Sequence, residues 1–384
     1  MELVSNASQL ASVGGNLTSP SLLPLNESEE IDLVESEYAG RFAYGERIAL
    51  AVAMSIITVL GTFGNGLVIL AVALSRKLRT ATNVYVVSLS TTDLLTCLCL
   101  PWHVLGAVSM NGWPIAKWIC SAAGGLTIIF VGSSIITLAF IALNRLFLIT
   151  QPSTRYRTLY TFKMLMFTTL VAWLLPFVTV IIPPLLGVGK LGYDEKYLRC
   201  GPVQSPGGTL SNPYDMIVAA VLYPIPMIAI VVCYAKIFLY IKHHTKTILA
   251  PSEHSSSSNP KSPAANNNGT QHHTSSVSRQ SSTRKRLSRR QVEITKNLFY
   301  VVCAFVLCLS PYSIGIMIPS ADHFTPYAGV ILLLNSCVNP LIYAAKHPYF
   351  RTIFICIVTL KFSKIPEPSN LLRYALSTRD DYSK

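Results

Sequence analysis

A chain of 384 residues that is 51% hydrophobic and only 13% charged, with a mean hydropathy of +0.45, falls outside the ordinary soluble class. Its net charge of +13 sits in the connections between apolar runs, which reads as membrane topology and contact with anionic lipid rather than nucleic-acid binding. Seven such runs, at 47–74, 83–109, 119–149, 162–186, 214–241, 294–318 and 325–345, are each long enough to cross about 30 Å of hydrocarbon. Buried helices of a large soluble enzyme are the rival reading, but seven runs joined by short polar connections need lipid as their solvent. The expected fold is an all-α membrane protein, a seven-transmembrane helix bundle over 47–345 with a short amphipathic C-terminal helix.

Residues 1–46 form a tail with three glycosylation sequons, at Asn6, Asn16 and Asn26, and an acidic stretch from Glu27 to Glu37. The first residues lack a basic start and a sustained apolar core, so no cleavable signal peptide is expected and the first span serves as the anchor. Span 1 carries Gly64-Asn65 and is followed by Arg76, Lys77 and Arg79. Span 2 carries Leu89 and Asp93, four apart and hence on one helical face. Span 3 opens at Cys120, has Ser134 at its middle and ends in Asn144-Arg145-Leu146; Arg145 is the one ionisable residue from Leu126 to Ile149. A guanidinium beside hydrocarbon costs at least a few kcal/mol, so it marks function or snorkels to an interface. Arg155, Arg157 and Lys163 follow this span, and a dense set from Arg279 to Arg290 precedes span 6. By the positive-inside rule these basic loops are cytoplasmic, which puts the N-terminus outside.

Of nine cysteines, Cys97, Cys99, Cys233, Cys303, Cys308 and Cys337 fall within spans and Cys356 on the inner side. Only Cys120 and Cys200 remain at the outer face, where a disulfide between them would tether the second outer loop over the bundle mouth. The segment 243–290 is rich in Ser, Asn, His and basic residues and cannot bury enough apolar surface to fold alone, so it is expected to be disordered. Ser281, Ser282, Thr283 and Ser288 stand there as candidate phosphorylation sites, and the sequon at Asn268 should stay bare. In the inner segment 346–384, Pro348 opens a short run of mixed apolar and basic residues, expected to lie as a helix on the inner membrane surface. Cys356 within it is either palmitoylated or an unmodified membrane-facing thiol.

An isolated carboxylate as deep as Asp93 must be neutralised, hydrogen-bonded or paired with a cation. Asn65, Ser134, Ser336 and Asn339 offer neutral oxygens and amides for such a site. A hydrated sodium ion, making Asp93 a metal ligand, is the functional reading; a protonated, hydrogen-bonded acid is the structural one. No other cofactor is implied. Pro226, Pro311 and Pro340 each remove a backbone hydrogen bond in successive late spans and are expected to act as hinges. A seven-helix transporter or channel should show internal repeats or several intramembrane charges, and neither is found. The spans contain no nucleophile–base set or paired carboxylates, so no enzyme is expected.

Taken in order, Gly64-Asn65, Leu89 to Asp93, Cys120 with Cys200, Asn144-Arg145-Leu146, Trp173, Pro226 with Tyr234, Cys308-Leu309-Ser310-Pro311 and Asn339-Pro340-Leu341-Ile342-Tyr343 resemble the rhodopsin-like (class A) G protein-coupled receptors over residues 45–356. The resemblance implies a plasma-membrane receptor in which an extracellular ligand biases a two-state bundle whose inner face binds a heterotrimeric G protein. Arrestin and receptor kinases are further partners it implies. It assigns Ile135, Pro226 and Phe305 to the packing switch, and Arg145, Tyr234 and Tyr343 to inner activation. This chain departs from the pattern at Asn144 and Gln291, where acids are usual, and at Leu309, where an aromatic is usual; a loosely held inactive state with basal signalling is the expectation.

Thr127 stands where amine receptors of the family carry an aspartate, and Leu333 where opsins carry their lysine. Phrases around Asn144 and Cys200 resemble melatonin receptors and Moody-type orphan receptors, with Gln204 matching a ligand-contacting glutamine, although Pro183 falls where the melatonin group needs an asparagine. The resemblance places Thr127, Ile128, Val131, Gln204, Tyr223, Leu309 and Tyr312 at a ligand pocket, with Trp102, His103, Trp113 and Tyr327 nearby. The expectation is an apolar, aromatic pocket of little formal charge for a neutral, lipid-like or small indole-like ligand. A peptide gripped by outer loops is the alternative.

Overall fold

The computed structural model describes residues 42–203, 213–249, 299, 303–315, 318 and 323–382; of the side chains at 244–249 and 379–382 nothing is said. The sequons at Asn6, Asn16 and Asn26, Gln204, Asn268, the candidate phosphorylation sites and Gln291 lie outside these residues.

Five of the spans are unbroken helices: α1 (Tyr44–Leu74), α2 (Ala81–Val108), α3 (Lys117–Thr150), α5 (Phe162–Leu185) and α9 (Thr325–Lys346), with the short α4 (Ser153–Leu159) after α3. The fifth span is two helices, α6 (Pro213–Leu222) and α7 (Pro224–Leu249), and the described part of the sixth is α8 (Cys303–Gly315). Six stretches among the described residues are long and apolar enough to cross a membrane. Leu60, Phe63, Phe167, Phe177 and Ile228 are exposed on them, as lipid-facing positions should be.

Buried faces carry small residues that let backbones approach. A Cβ at Gly64 would stand 2.9 Å from the Pro340 ring, and one at Gly124 only 2.5 Å from the Gly201 amide nitrogen. The largest hydrophobic cluster runs through the bundle from Ile135, Phe305 and Leu309 to Tyr343, Phe350 and Ile353.

At one end an antiparallel hairpin covers the bundle: β1 (Lys190–Asp194) pairs with β2 (Arg199–Val203), with Tyr193 opposite Cys200 and Asp194 opposite Arg199. The Cys120–Cys200 disulfide ties β2 to the start of α3, as the cysteine count required. Ser121 donates to the Leu191 carbonyl at 2.7 Å and Tyr193 to the Gly106 carbonyl at 2.7 Å, so the hairpin is fixed to α2 as well.

Several boundaries differ from expectation. The first helix starts at Tyr44, inside the expected tail, because the Ala43 N–H is capped by Glu46 at 2.8 Å and the preceding Phe42 is buried. The fifth span breaks at Tyr223 rather than bending at Pro226: Pro224 and Pro226 both lack the N–H that would continue the ladder, and α7 restarts at Pro224. It then runs to Leu249, into the segment expected to be disordered, since no helix breaker occurs until Pro251.

After the expected α10 (Pro348–Val358) the chain does not trail off. It turns back so that Pro368 bridges Ser75, the Ser369 N–H donates to the Leu74 carbonyl at 2.8 Å and Arg76 N–H donates to the Glu367 carbonyl at 2.9 Å. A further helix, α11 (Asn370–Tyr382), begins there, its Leu372 N–H capped by Ser369 at 3.3 Å. Cys356, expected as a palmitoylated or membrane-facing thiol, is buried in the cluster that includes Ile365 and Leu372.

Candidate functional site

Three groups of residues converge in the bundle. Midway along it, Asp93 is 1% exposed and accepts three hydrogen bonds from neutral donors. Ser134 and Ser336 hydroxyls reach one carboxylate oxygen at 3.2 Å each, and the Asn339 amide reaches the other at 2.7 Å. Asn65 completes the group by donating to the Ser336 carbonyl at 2.8 Å. All five predicted residues are thus brought together. The amide oxygens of Asn65 and Asn339 have no partner, and no group of three metal-ligating side chains occurs among the described residues. A carboxylate with two spare amide oxygens and two hydroxyls is a donor set that suits a hard, singly charged cation; softer transition metals would require imidazole or thiolate.

At the end remote from the disulfide, Arg145 is 7% exposed and pairs with no described acid or acceptor; its Nε is orphaned. Its electrostatic neighbours are Tyr234, Tyr156 and Tyr343, and the Tyr234 and Tyr343 hydroxyls are buried without partners. Tyr343 stacks on Phe350 at 5.5 Å, linking α9 to α10, and Tyr234 faces Phe299 at 5.7 Å. Asn144, fully buried, does not bond the neighbouring arginine. Its oxygen accepts from Thr82 at 3.3 Å and its amide donates to the Tyr156 hydroxyl at 3.0 Å. Leu146 is half-buried against the main cluster. Between these groups, Ile135 and Phe305 pack in one cluster, with Pro226 buried in the first turn of α7. Trp173 donates to Ser88 at 3.1 Å, joining α5 to α2.

Beneath the hairpin lies a cavity enclosing about 1080 Å³, its open mouth included. Thr127, Ile128, Val131, Tyr223 and Tyr312 line it as expected, and His103 and Leu333 do too. Thr127 shares a 3.0 Å hydrogen bond with His103. Leu309 does not line it; lacking an aromatic ring's reach, it is buried in the central cluster with Phe305. Trp102 is exposed on α2, Trp113 bonds the Ala116 carbonyl, and the Tyr327 hydroxyl donates to Glu46 at 2.8 Å, so none of these reaches the cavity walls.

The expectation of little formal charge is overturned. Arg199, from β2, and Asp215, from the first turn of α6, both face this cavity. Arg199 donates to the Tyr312 hydroxyl and lies over the Tyr197 and Tyr312 rings at 5.2 and 5.6 Å. Its Nε is buried and unpartnered. Burial alone would lower the pKa of this guanidinium, but Tyr312, Asp215 and Asp194 outweigh it and push the pKa up. Asp194, opposite Arg199 in the strand register, is pushed up to about 6 by burial, against the opposing pull of Arg199 and a backbone N–H. The sequence signal for Arg199 was its place beside Cys200: a disulfide that pulls the loop over the mouth carries the neighbouring side chain in with it.

A disulfide-capped cavity, a buried aspartate among neutral donors and a buried arginine at the far end define a seven-helix receptor, and the chain belongs to the rhodopsin family of seven-transmembrane receptors: residues 64–343 match "7 transmembrane receptor (rhodopsin family)". It is a multi-pass plasma-membrane receptor and not an enzyme. Among curated proteins it is 26% identical to melatonin receptor type 1B-B of Danio rerio, over 81% of this chain and 82% of that one. It is also 26% identical to trace amine-associated receptor 8 of Homo sapiens, over 81% and 86%. Squid rhodopsin shares the fold, with a TM-score of 0.64, 18% identity and coverage of 89% and 91%.

Proposed function

We propose that this receptor binds a small ligand, apolar over most of its body, in the cavity under the hairpin, and that binding biases the bundle toward a state whose opposite end activates a heterotrimeric G protein. The cavity mouth is then extracellular, the N-terminus and its three sequons lie outside, and arrestin and receptor kinases act on the inner side. The relatives named for melatonin and for trace amines favour a small molecule over a peptide.

The observation that carries the reading is Arg145: a buried guanidinium with no described acidic partner, facing two orphaned tyrosine hydroxyls, is a group kept for a partner that arrives. With Asn144 committed to Thr82 and Tyr156, nothing described here holds Arg145 in an inactive lock, and basal signalling follows. Asp93 holds a sodium ion in the quiet state, with Ser134, Ser336, Asn65 and Asn339 around it.

Nucleotide exchange on purified G proteins tests the reading. The wild-type receptor should stimulate exchange without added ligand, sodium should suppress that stimulation and Arg145→Ala should abolish it. Replacing Asp93 by Asn should remove the sodium effect. Exchange unchanged by the Arg145 substitution would overturn the coupling role, and sodium suppression surviving in the Asp93 variant would overturn the ion site.

A further inference from the structure

Two opposite charges face the ligand cavity without touching each other. Arg199 and Asp215 line the same walls yet form no ion pair, and no other described acid lies within ion-pair distance of the guanidinium. Arg199 retains a buried Nε–H with no acceptor, although one of its terminal nitrogens is spent on the Tyr312 hydroxyl. Asp194, the other acid that Arg199 senses, belongs to the hairpin and not to the cavity wall; one of its oxygens accepts from the Tyr197 N–H at 3.3 Å. The rest of the lining is largely apolar, with Ile128, Val131, Val218 and Leu332 among its walls.

We propose that the cavity takes a small zwitterion, an apolar or aromatic body whose anionic oxygens pair with Arg199 and whose ammonium pairs with Asp215. The proposal rests on the receptor reading above and names its ligand class. A neutral ligand would desolvate both charges and compensate neither. A simple amine would leave the Arg199 Nε–H without an acceptor, and a simple acid would add negative charge beside Asp215 while leaving that carboxylate unmatched. A zwitterion answers both poles and leaves the charge of the cavity as it was. Since the two poles come from different elements, β2 and α6, one ligand that bridges them also draws the hairpin and the fifth span together across the mouth.

Matched probes on the full-length purified receptor decide the point. Four charge forms (amino acid, amine, carboxylic acid and neutral N-acyl amine) are compared on each of three bodies, indole, phenyl and octyl, with affinity read by thermal shift. On at least one body the amino acid should bind at least tenfold more tightly than the other three forms. Arg199→Gln should erase its advantage over the amine, and Asp215→Asn its advantage over the acid. The two substitutions sit on different elements, so either variant decides if the other fails to fold. A neutral or singly charged form binding as tightly as the amino acid would overturn the proposal. So would absence of amino acid binding on all three bodies, or a preference untouched by the substitution. Exchange on G protein is run on the same preparation, without ligand and with each probe: exchange without zwitterion preference sinks this proposal alone, whereas exchange absent under every condition sinks the G protein coupling reading on which it rests.

Discussion

Two arginines turn inward at opposite ends of this bundle, Arg145 buried and Arg199 half-buried, and they are held in different ways. Arg199 lies between aromatic rings, bonded to Tyr312, with two aspartates in electrostatic reach. Arg145 has tyrosines near it but no acid among the described residues, and its neighbour Asn144 is occupied elsewhere. A guanidinium surrounded by opposing charge is settled at rest, and what it lacks is an acceptor for one N–H. One without any counter-charge is unsettled at rest and gains from whatever moves toward it. The disulfide end is therefore organised to select a small ligand, and the opposite end to be completed by a macromolecule.

Supplying the missing counter-charge should abolish this difference most directly. Asn144→Asp places a carboxylate beside Arg145 while keeping the Thr82 hydroxyl as a donor. Ligand-free nucleotide exchange should fall by about 10-fold, within the range usual for conformational coupling. Unchanged or increased exchange would mean that Arg145 is held by something other than the absence of an acid.

An effect on stability rather than on signalling sharpens the other end. Asp194 has its pKa raised from 3.8 to about 6, chiefly by burial. The folded state therefore binds its proton more tightly than the unfolded chain, so the contribution is fully present below about 4 and is lost as pH rises through about 6. The shift of about two units caps the effect at about 3 kcal/mol. Thermal unfolding of the wild type should shift upward between pH 7.5 and pH 5, and Asp194→Asn should flatten that dependence. An equally steep profile in the variant would show that the hairpin does not depend on this carboxylate.

The two ends also differ in how far the sequence reveals them. Arg145 and Asp93 are legible because each is the lone charge within the apolar run of its helix, where helical geometry alone fixes depth and face. Their neutral partners Asn65, Ser134, Ser336 and Asn339 follow from the same geometry. Arg199 and Asp215 are not legible in that way. One stands in a connection between spans and the other three residues into a helix, and a charge at either place is ordinarily solvated. Their place in the cavity wall depends on a tertiary event, the docking of β2 against Gly124, where backbone comes within the space a Cβ would need. The returning segment at Ser369 escapes sequence reading for the same reason, since backbone pairing to the Leu74 carbonyl leaves no signature in side-chain type. The break at Tyr223 was half visible: Pro226 marked the region, but the helix restarts two residues earlier, at Pro224.

The smallest predicted change tests whether Asn144 is silent because Tyr156 holds it. The Asn144 amide donates to the Tyr156 hydroxyl at 3.0 Å, and Tyr160, capping α4, lies against Phe147 of α3 at 6.0 Å, so α4 is fixed to the end of α3 by one hydrogen bond and one ring contact. Tyr156→Phe keeps the ring and removes the bond, a loss of about 1 kcal/mol, or roughly 5-fold in an equilibrium. The variant should couple to G protein about 5-fold less efficiently at limiting G protein, because α4 presents its surface less firmly. In the Asn144→Asp background the same change should act differently, because a carboxylate accepts from the Tyr156 hydroxyl instead of donating to it. A double-mutant cycle over the two positions should therefore show non-additivity of about 1 kcal/mol. Strict additivity would mean that Asn144 and Tyr156 act separately, and the loosened lock would then have to be traced to Arg145 and its two orphaned tyrosines alone.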